Sequence, residues 1–260
     1  MRTLLVTLIL MFAQSGPGVD MNSQFINAAT QGNVAEVRGL LSKGANVDAV
    51  DENQQTALMG ASDQGHLDVV ALLLEHGADP NLRNIRGGSA LMMVAYTGHR
   101  EVMTMLLSAH ADPNIESNDG LTALQIAASG GEPVHLEMVN LLIEAGAEVD
   151  AQNSDGETAL MQAAHDCIIR EQHSDRPAVC LGIAKALLAR GANVNIKAAD
   201  GRTALIEATK FCTYEMVKLL VDNRADVNAR SNDSLTPLIA ARRIKEKPRI
   251  ALLRRAGARN

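Results

Sequence analysis

The sequence predicts an all-α repeat solenoid, and three observations carry that prediction. A self-similar segment returns at a fixed period: GHLDVVALLLEHGADPN (65–81) comes back as GHREVMTMLLSAHADPN (98–114), 33 residues later. The apolar inventory suits small stacked helices, because 47% of the 260 residues are hydrophobic, only 2% are aromatic and none is Trp. Each copy also lies between turn signals, such as Asp119-Gly120 before it and Gly146-Ala147 at its end. A unit of this size cannot bury its own apolar face, so neighbours must stack.

In chain order, the first stretch is MRTLLVTLILMFAQSGPGVD, with one base at Arg2, an apolar run from Leu4 to Ala13 and a Gly-Pro-Gly break. The run is too short to span a bilayer. It fits the apolar region of a secretory leader over residues 1–20, with Ala13-Gln14-Ser15 as a small-x-small cleavage site. The expectation is therefore a periplasmic or secreted protein, or a cytoplasmic one if Met21 is the true start. Residues 21–50 read as an N-terminal capping repeat, since NAATQGN begins it and no turn precedes it.

Five full units occupy residues 51–228. Asp-Gly at 119–120, 155–156 and 200–201 supplies the positive φ of a tight turn. Thr56, Thr122, Thr158 and Thr203, and Ser89 in the second unit, then stand where a first helix needs an N-cap. Paired alanines such as Ala127, Ala128, Ala163 and Ala164 keep that helix slim enough for close approach. A second helix follows with apolar residues at helical spacing, as in Val217, Leu220 and Val221. Gly44, Gly77, Gly146, Gly191 and Gly257 end these helices, where a left-handed residue is wanted. Residues 229–260 form a last, basic capping repeat.

This turn-helix-helix unit, with its T-x-L start and G-A-x-x-N corner, resembles the ankyrin repeat. The family implies a concave face, made of the turn tips and the exposed side of the first helices, that binds proteins. On that face the matching positions are Arg86, Met93, Tyr96, Leu121, Glu157, His165, Arg202 and Phe211. Arg86, Tyr96, Arg202 and Phe211 are the expected anchors, because interface hot spots favour aromatics and Arg. The sequence departs from the family at His110 and Arg224, which replace the corner Gly, and at Met59, Met92 and Met161, which stand where the family often has His. The family's His-to-backbone network is expected to be missing there, with Met packing in its place.

Taken with the leader, the resemblance points to an exported interaction protein of bacterial type, an accessory partner of another protein in the cell envelope, and a monomer is expected. The alternative within the binding class is a secreted effector acting on host proteins.

Two units are longer than the others. The distance from Thr to the corner Gly is 21 residues at Thr56–Gly77 but 24 at Thr122–Gly146 and 33 at Thr158–Gly191. The extra residues are placed at 132–134 and 168–179, in the turn between the helices. Cys167 and Cys180 then flank the longer insertion at positions that are consecutive in a regular unit, so a Cys167–Cys180 disulfide is expected in an oxidising compartment. Cys212 aligns with Cys167 one repeat on, and the 8–10 Å between packed helices leaves it unpaired. A metal or thiol-redox sensor centred on this loop is the competing reading, from His165, Asp166, Cys167, His173, Asp175 and Cys180, but their spacing matches no ligand motif.

Charge is uneven. The last 19 residues hold eight bases against Glu246, a net +7, so the remainder of a chain of net −6 stands at −13. An acidic body argues against general nucleic-acid binding, and the bases alternate with Ile244, Ile250, Leu252 and Leu253 like the outer face of a terminal helix. No phosphate-binding glycine loop, G-x-S-x-G or H-E-x-x-H is present. No catalytic residue, cofactor, metal or nucleic acid is expected, nor membrane contact after leader removal.

Overall fold

The computed structural model describes residues 21–165, 167 and 175–259. The expected leader therefore lies outside the described residues, as does the crest of the long insertion. Among the described residues, fourteen helices follow one another in seven pairs. The pairs are α1 (Met21–Thr30) and α2 (Val34–Ser42), α3 (Ala57–Asp63) and α4 (Leu67–Glu75), α5 (Ala90–Thr97) and α6 (Arg100–Ser108), and α7 (Ala123–Ser129) and α8 (Pro133–Glu144). They continue with α9 (Ala159–His165) and α10 (Arg176–Ala189), α11 (Ala204–Phe211) and α12 (Tyr214–Asp222), and α13 (Pro237–Arg243) and α14 (Lys247–Arg255). No strand occurs among the described residues, only one isolated antiparallel bridge between Val50 and Thr56.

The expected caps form. The hydroxyls of Thr56, Thr122, Thr203 and Thr236 accept from the backbone N–H three residues on, whereas Ser89 makes no such bond. Substantial helix contacts join only elements of the same or adjacent pairs, which is solenoid packing. One apolar cluster runs from Phe25 to Leu253. Alanines of the first helices (Ala61, Ala95, Ala127, Ala163) sit fully buried beside Val69, Leu106, Val139, Ile183 and Leu220 of the second helices. Met59, Met92 and Met161 are buried in that core, as packing in place of a polar network requires. In the third full repeat Gln125 stands at the same position and does form a polar bridge, donating from Nε2 to the carbonyls of Ala151 (2.9 Å) and Glu157 (2.8 Å).

Two hydrogen-bond ladders fix the repeats in register. At the tips, the N–H groups of Ile85, Asn118, Ser154, Ala199 and Asn232 donate to carbonyls of the preceding hairpin, those of Asn53, Arg86, Asp119, Asp155 and Asp200, at 2.8–2.9 Å. At the corners, the side chain of the motif's Asn spans two repeats. Asn114 Oδ1 accepts from Glu148 N–H (2.8 Å) while its Nδ2 donates to the Gly146 carbonyl (3.1 Å). Asn81, Asn195 and Asn228 repeat the arrangement, and Asp48 and Asp150 keep only the accepting half. These bonds explain why the corner reads G-A-x-x-N. The left-handed residues lie where expected, with φ of +88° at Gly44 and +82° at Gly77, and also +63° at His110 and +66° at Arg224.

A third set of contacts runs along the edge where the helices of each pair turn. His66 Nε2 lies 3.0 Å from the Thr30 carbonyl, Arg176 donates to the Ser129 carbonyl (3.0 Å), and Arg249 donates to the carbonyls of Thr209 (2.8 Å) and Cys212. Between the fourth and fifth full repeats a covalent bond takes this place: Cys167 and Cys212 form a disulfide, with Cα atoms 4.9 Å apart.

This corrects the expected Cys167–Cys180 pairing. The spacing of helix axes was the wrong yardstick, because Cys167 lies past the end of α9 and Cys212 is the extended C-cap of α11, with φ −105° and ψ −175°. Both stand on turns, where neighbouring backbones approach more closely than helix axes do. Cys180 is not at the loop exit either. α10 begins at Arg176, with Pro177 in its first turn, so Cys180 lies inside the helix and is fully buried. The shorter insertion is also absorbed by a second helix, since Glu132 caps α8, which runs 12 residues where α4 and α6 run 9.

The basic terminal repeat presents its charges to solvent. Arg243, Lys245, Lys247, Arg254, Arg255 and Arg259 are exposed, while Leu253 is the buried residue of α14 and Arg249 reaches back to α11.

Candidate functional site

The turn tips and the first helices form a continuous face, and the tip ladder holds successive hairpins in line along it. The eight residues picked out on this face fall into two groups with different environments.

In the fourth and fifth full repeats the charged groups pair with one another, although Glu207 Oε2 is buried without a hydrogen-bond partner among the described residues. Arg202 donates from Nη2 to Glu157 (3.0 Å), from Nη1 to Glu207 (2.9 Å) and from Nε to Asp200. Gln162 donates to the other oxygen of Glu157 (2.8 Å), and Lys210 lies 3.7 Å from Glu207. Burial works against the charge of Arg202, yet the carboxylates of Asp200 and Glu207 raise its pKa above the ordinary value. Burial likewise acts to raise the Asp200 pKa, but the hydrogen bonds and charge of Arg202 hold its carboxyl below the ordinary carboxylate value. Phe211 meets His165 edge to face, with ring centroids 4.8 Å apart, and its ring is capped by the Lys210 ammonium at 4.5 Å. His165 is two residues from Cys167 and Phe211 is next to Cys212, so the disulfide fixes this aromatic pair from behind. Thus the structure brings Arg202, Glu157, His165 and Phe211 together into one cluster of mutual contacts.

The first three full repeats are different. Tyr96, near the end of α5, is 78% exposed, and Ile85 at the second tip is 56% exposed. Arg86 is exposed beside it, and its guanidinium makes no hydrogen bond or ion pair among the described residues. Met93 and Leu121 are half-buried. Two shallow cavities open here. One, of about 350 Å³, is lined by Asn53, Gln55, Asn84, Ile85, Arg86 and Met93. The other, of about 360 Å³, lies at Tyr96 against Ile126, Gly131, Glu132, His135 and Arg176. Arg176 and His135 line this second cavity from the edge where paired helices turn, which α8 and α10 reach through their lengthened starts. Asn84 was missed in the sequence; its Oδ1 shapes the tip by accepting from the N–H groups of Arg86 (3.0 Å) and Gly88 (2.9 Å).

Among the described residues no group of three or more His, Cys, Asp or Glu side chains is placed to hold a metal ion. Asp166 and His173 of the sensor reading lie outside the described residues. No helix of the described residues is long and apolar enough to cross a membrane.

A family model described as ankyrin repeats in three copies matches residues 4–84, 91–170 and 177–254. No curated protein matches the chain.

Proposed function

We propose that this chain, which belongs to the ankyrin-repeat family, is an exported interaction protein that docks one protein partner on its concave face and carries out no chemistry of its own. Ankyrin repeats mediate protein–protein contacts, and the partner is a protein on that ground. The observation that carries the reading is the contrast within the face. Arg86, Ile85 and Tyr96 are exposed on hairpins and helices held rigidly in register, a pre-organised surface that binds at low ordering cost.

Export is supported by the leader-like start of the sequence and by a disulfide between adjacent repeats, a bond that persists in oxidising compartments. The protein acts as a monomer in this reading, as an accessory partner in a bacterial envelope.

Capture of the partner by the full chain tests it. Arg86→Ala and Tyr96→Ala each lower recovery several-fold, as loss of an interface anchor does, and Arg254→Ala does not. Equal recovery by all variants rejects the concave face as the docking surface.

A further inference from the structure

The cavity at the first two hairpin tips holds an unusual set of uncommitted groups. The side-chain amides of Asn53 and Gln55 make no hydrogen bond among the described residues, and Gln55 Oε1 is buried without a donor. Asn84 uses its Oδ1 twice within the turn and leaves Nδ2 with no acceptor. Amide groups held this way offer both donors and acceptors to a peptide backbone lying across the tips, and a buried polar atom without a partner is costly until one arrives.

Around these amides stand one apolar wall and one available cation. Ile85 and Met93 form the wall. Arg83 is spent on the Gly87 carbonyl and Asn118, whereas Arg86 is not. The neighbouring tips carry Glu52 and Asp119, which repel a run of acids and leave room for one carboxylate at Arg86. In the fifth repeat the tip position aligned with Arg86 is Asp200, and the nearby cation Arg202 is already neutralised by three carboxylates, so an available cation stands at this end of the face.

We infer that this groove takes an extended segment of the partner protein in which a single Asp or Glu stands next to an apolar residue. The carboxylate pairs with Arg86, the apolar side chain lies on Ile85 and Met93, and the segment's backbone meets the amides of Asn53, Gln55 and Asn84. The inference rests on the concave-face reading and narrows the chemistry of what that face recognises.

Selection of a random heptapeptide library on the immobilised full chain tests it, with Arg86→Glu as the counter-variant. Arg86 is exposed at a turn tip, so the variant keeps the unfolding midpoint of the parent. The expected result is enrichment of peptides with one acid beside Leu, Ile, Val, Met or Phe, and binding of those peptides to Arg86→Glu that is weaker by about tenfold or more. The inference is overturned if the enriched peptides lack an acid, if they bind Arg86→Glu as tightly as the parent, or if nothing is enriched. In each of those cases, loss of partner capture by Tyr96→Ala leaves the concave-face reading standing, and unchanged capture removes both.

Discussion

Cys167 and Cys212, 45 residues apart in sequence, are joined Sγ to Sγ at 2.05 Å across the boundary between the fourth and fifth full repeats. Three other boundaries on that edge are held by side-chain hydrogen bonds from one repeat to the next, His66 to Thr30, Arg176 to Ser129 and Arg249 to Thr209. The disulfide is thus one rung of a series, and the strongest.

Its contribution to stability follows from loop length. Closing a loop of this size is worth about 4 kcal/mol in the chain-entropy description. Cys167→Ser and Cys212→Ser are expected to lose a similar amount, and reduction of the parent should match them. Peptide mapping without reductant should recover 167 linked to 212; recovery of 167 linked to 180 contradicts the assignment.

The corner asparagines predict a graded series. Asn114→Ala removes an acceptor for Glu148 N–H and a donor to the Gly146 carbonyl, and should cost about 1–3 kcal/mol. Asn114→Asp keeps the accepting half, as Asp48 and Asp150 do naturally, and should cost less. Denaturant midpoints at constant m-value check the order.

His110 and Arg224 pay a conformational cost that their sister positions avoid. Each holds a left-handed backbone with a full side chain, at φ +63° and +66°. His110→Gly and Arg224→Gly should therefore each stabilise the protein, by up to about 1 kcal/mol after the unfolded-state entropy of Gly is counted. Thermal unfolding that shows a loss instead would point to side-chain contacts outweighing the strain.

The Arg202 cluster predicts an acid sensitivity. The Asp200 carboxyl sits below its ordinary value because of Arg202, so its stabilising effect is present above the unfolded carboxylate value, near pH 4, and is lost as pH falls through the lower folded value. Asp200→Asn should flatten the stability profile below about pH 4 and leave it nearly parallel to the parent at neutral pH. Identical slopes for the two proteins in acid would show that Asp200 contributes nothing there.

Most of the fold was readable because it is local and periodic. The Thr caps, the Gly corners and the Ala-rich first helices recur at one period, and each recurrence checks the others. The disulfide was not readable, since the alignment that placed Cys212 one repeat from Cys167 was correct but the distance between turns cannot be taken from the distance between helix axes. The segments expected as insertions lie at the starts of α8 and α10, which are lengthened because Pro133 and Pro177 stand in their first turns. The environments of the candidate face residues were not legible. That Arg202 and Phe211 are engaged, while Arg86 and Tyr96 are not, depends on side chains from neighbouring repeats: Glu157 and His165 reach across from the fourth to the fifth.

The measurement that bears most directly on docking at the concave face is backbone hydrogen exchange of the full chain with and without its captured partner. Binding should slow exchange in peptides covering residues 51–55, 84–88 and the exposed end of α5 around Tyr96, and leave α14 unchanged. Protection confined to α14 and the basic end, with the tips exchanging as in the free protein, would contradict the account.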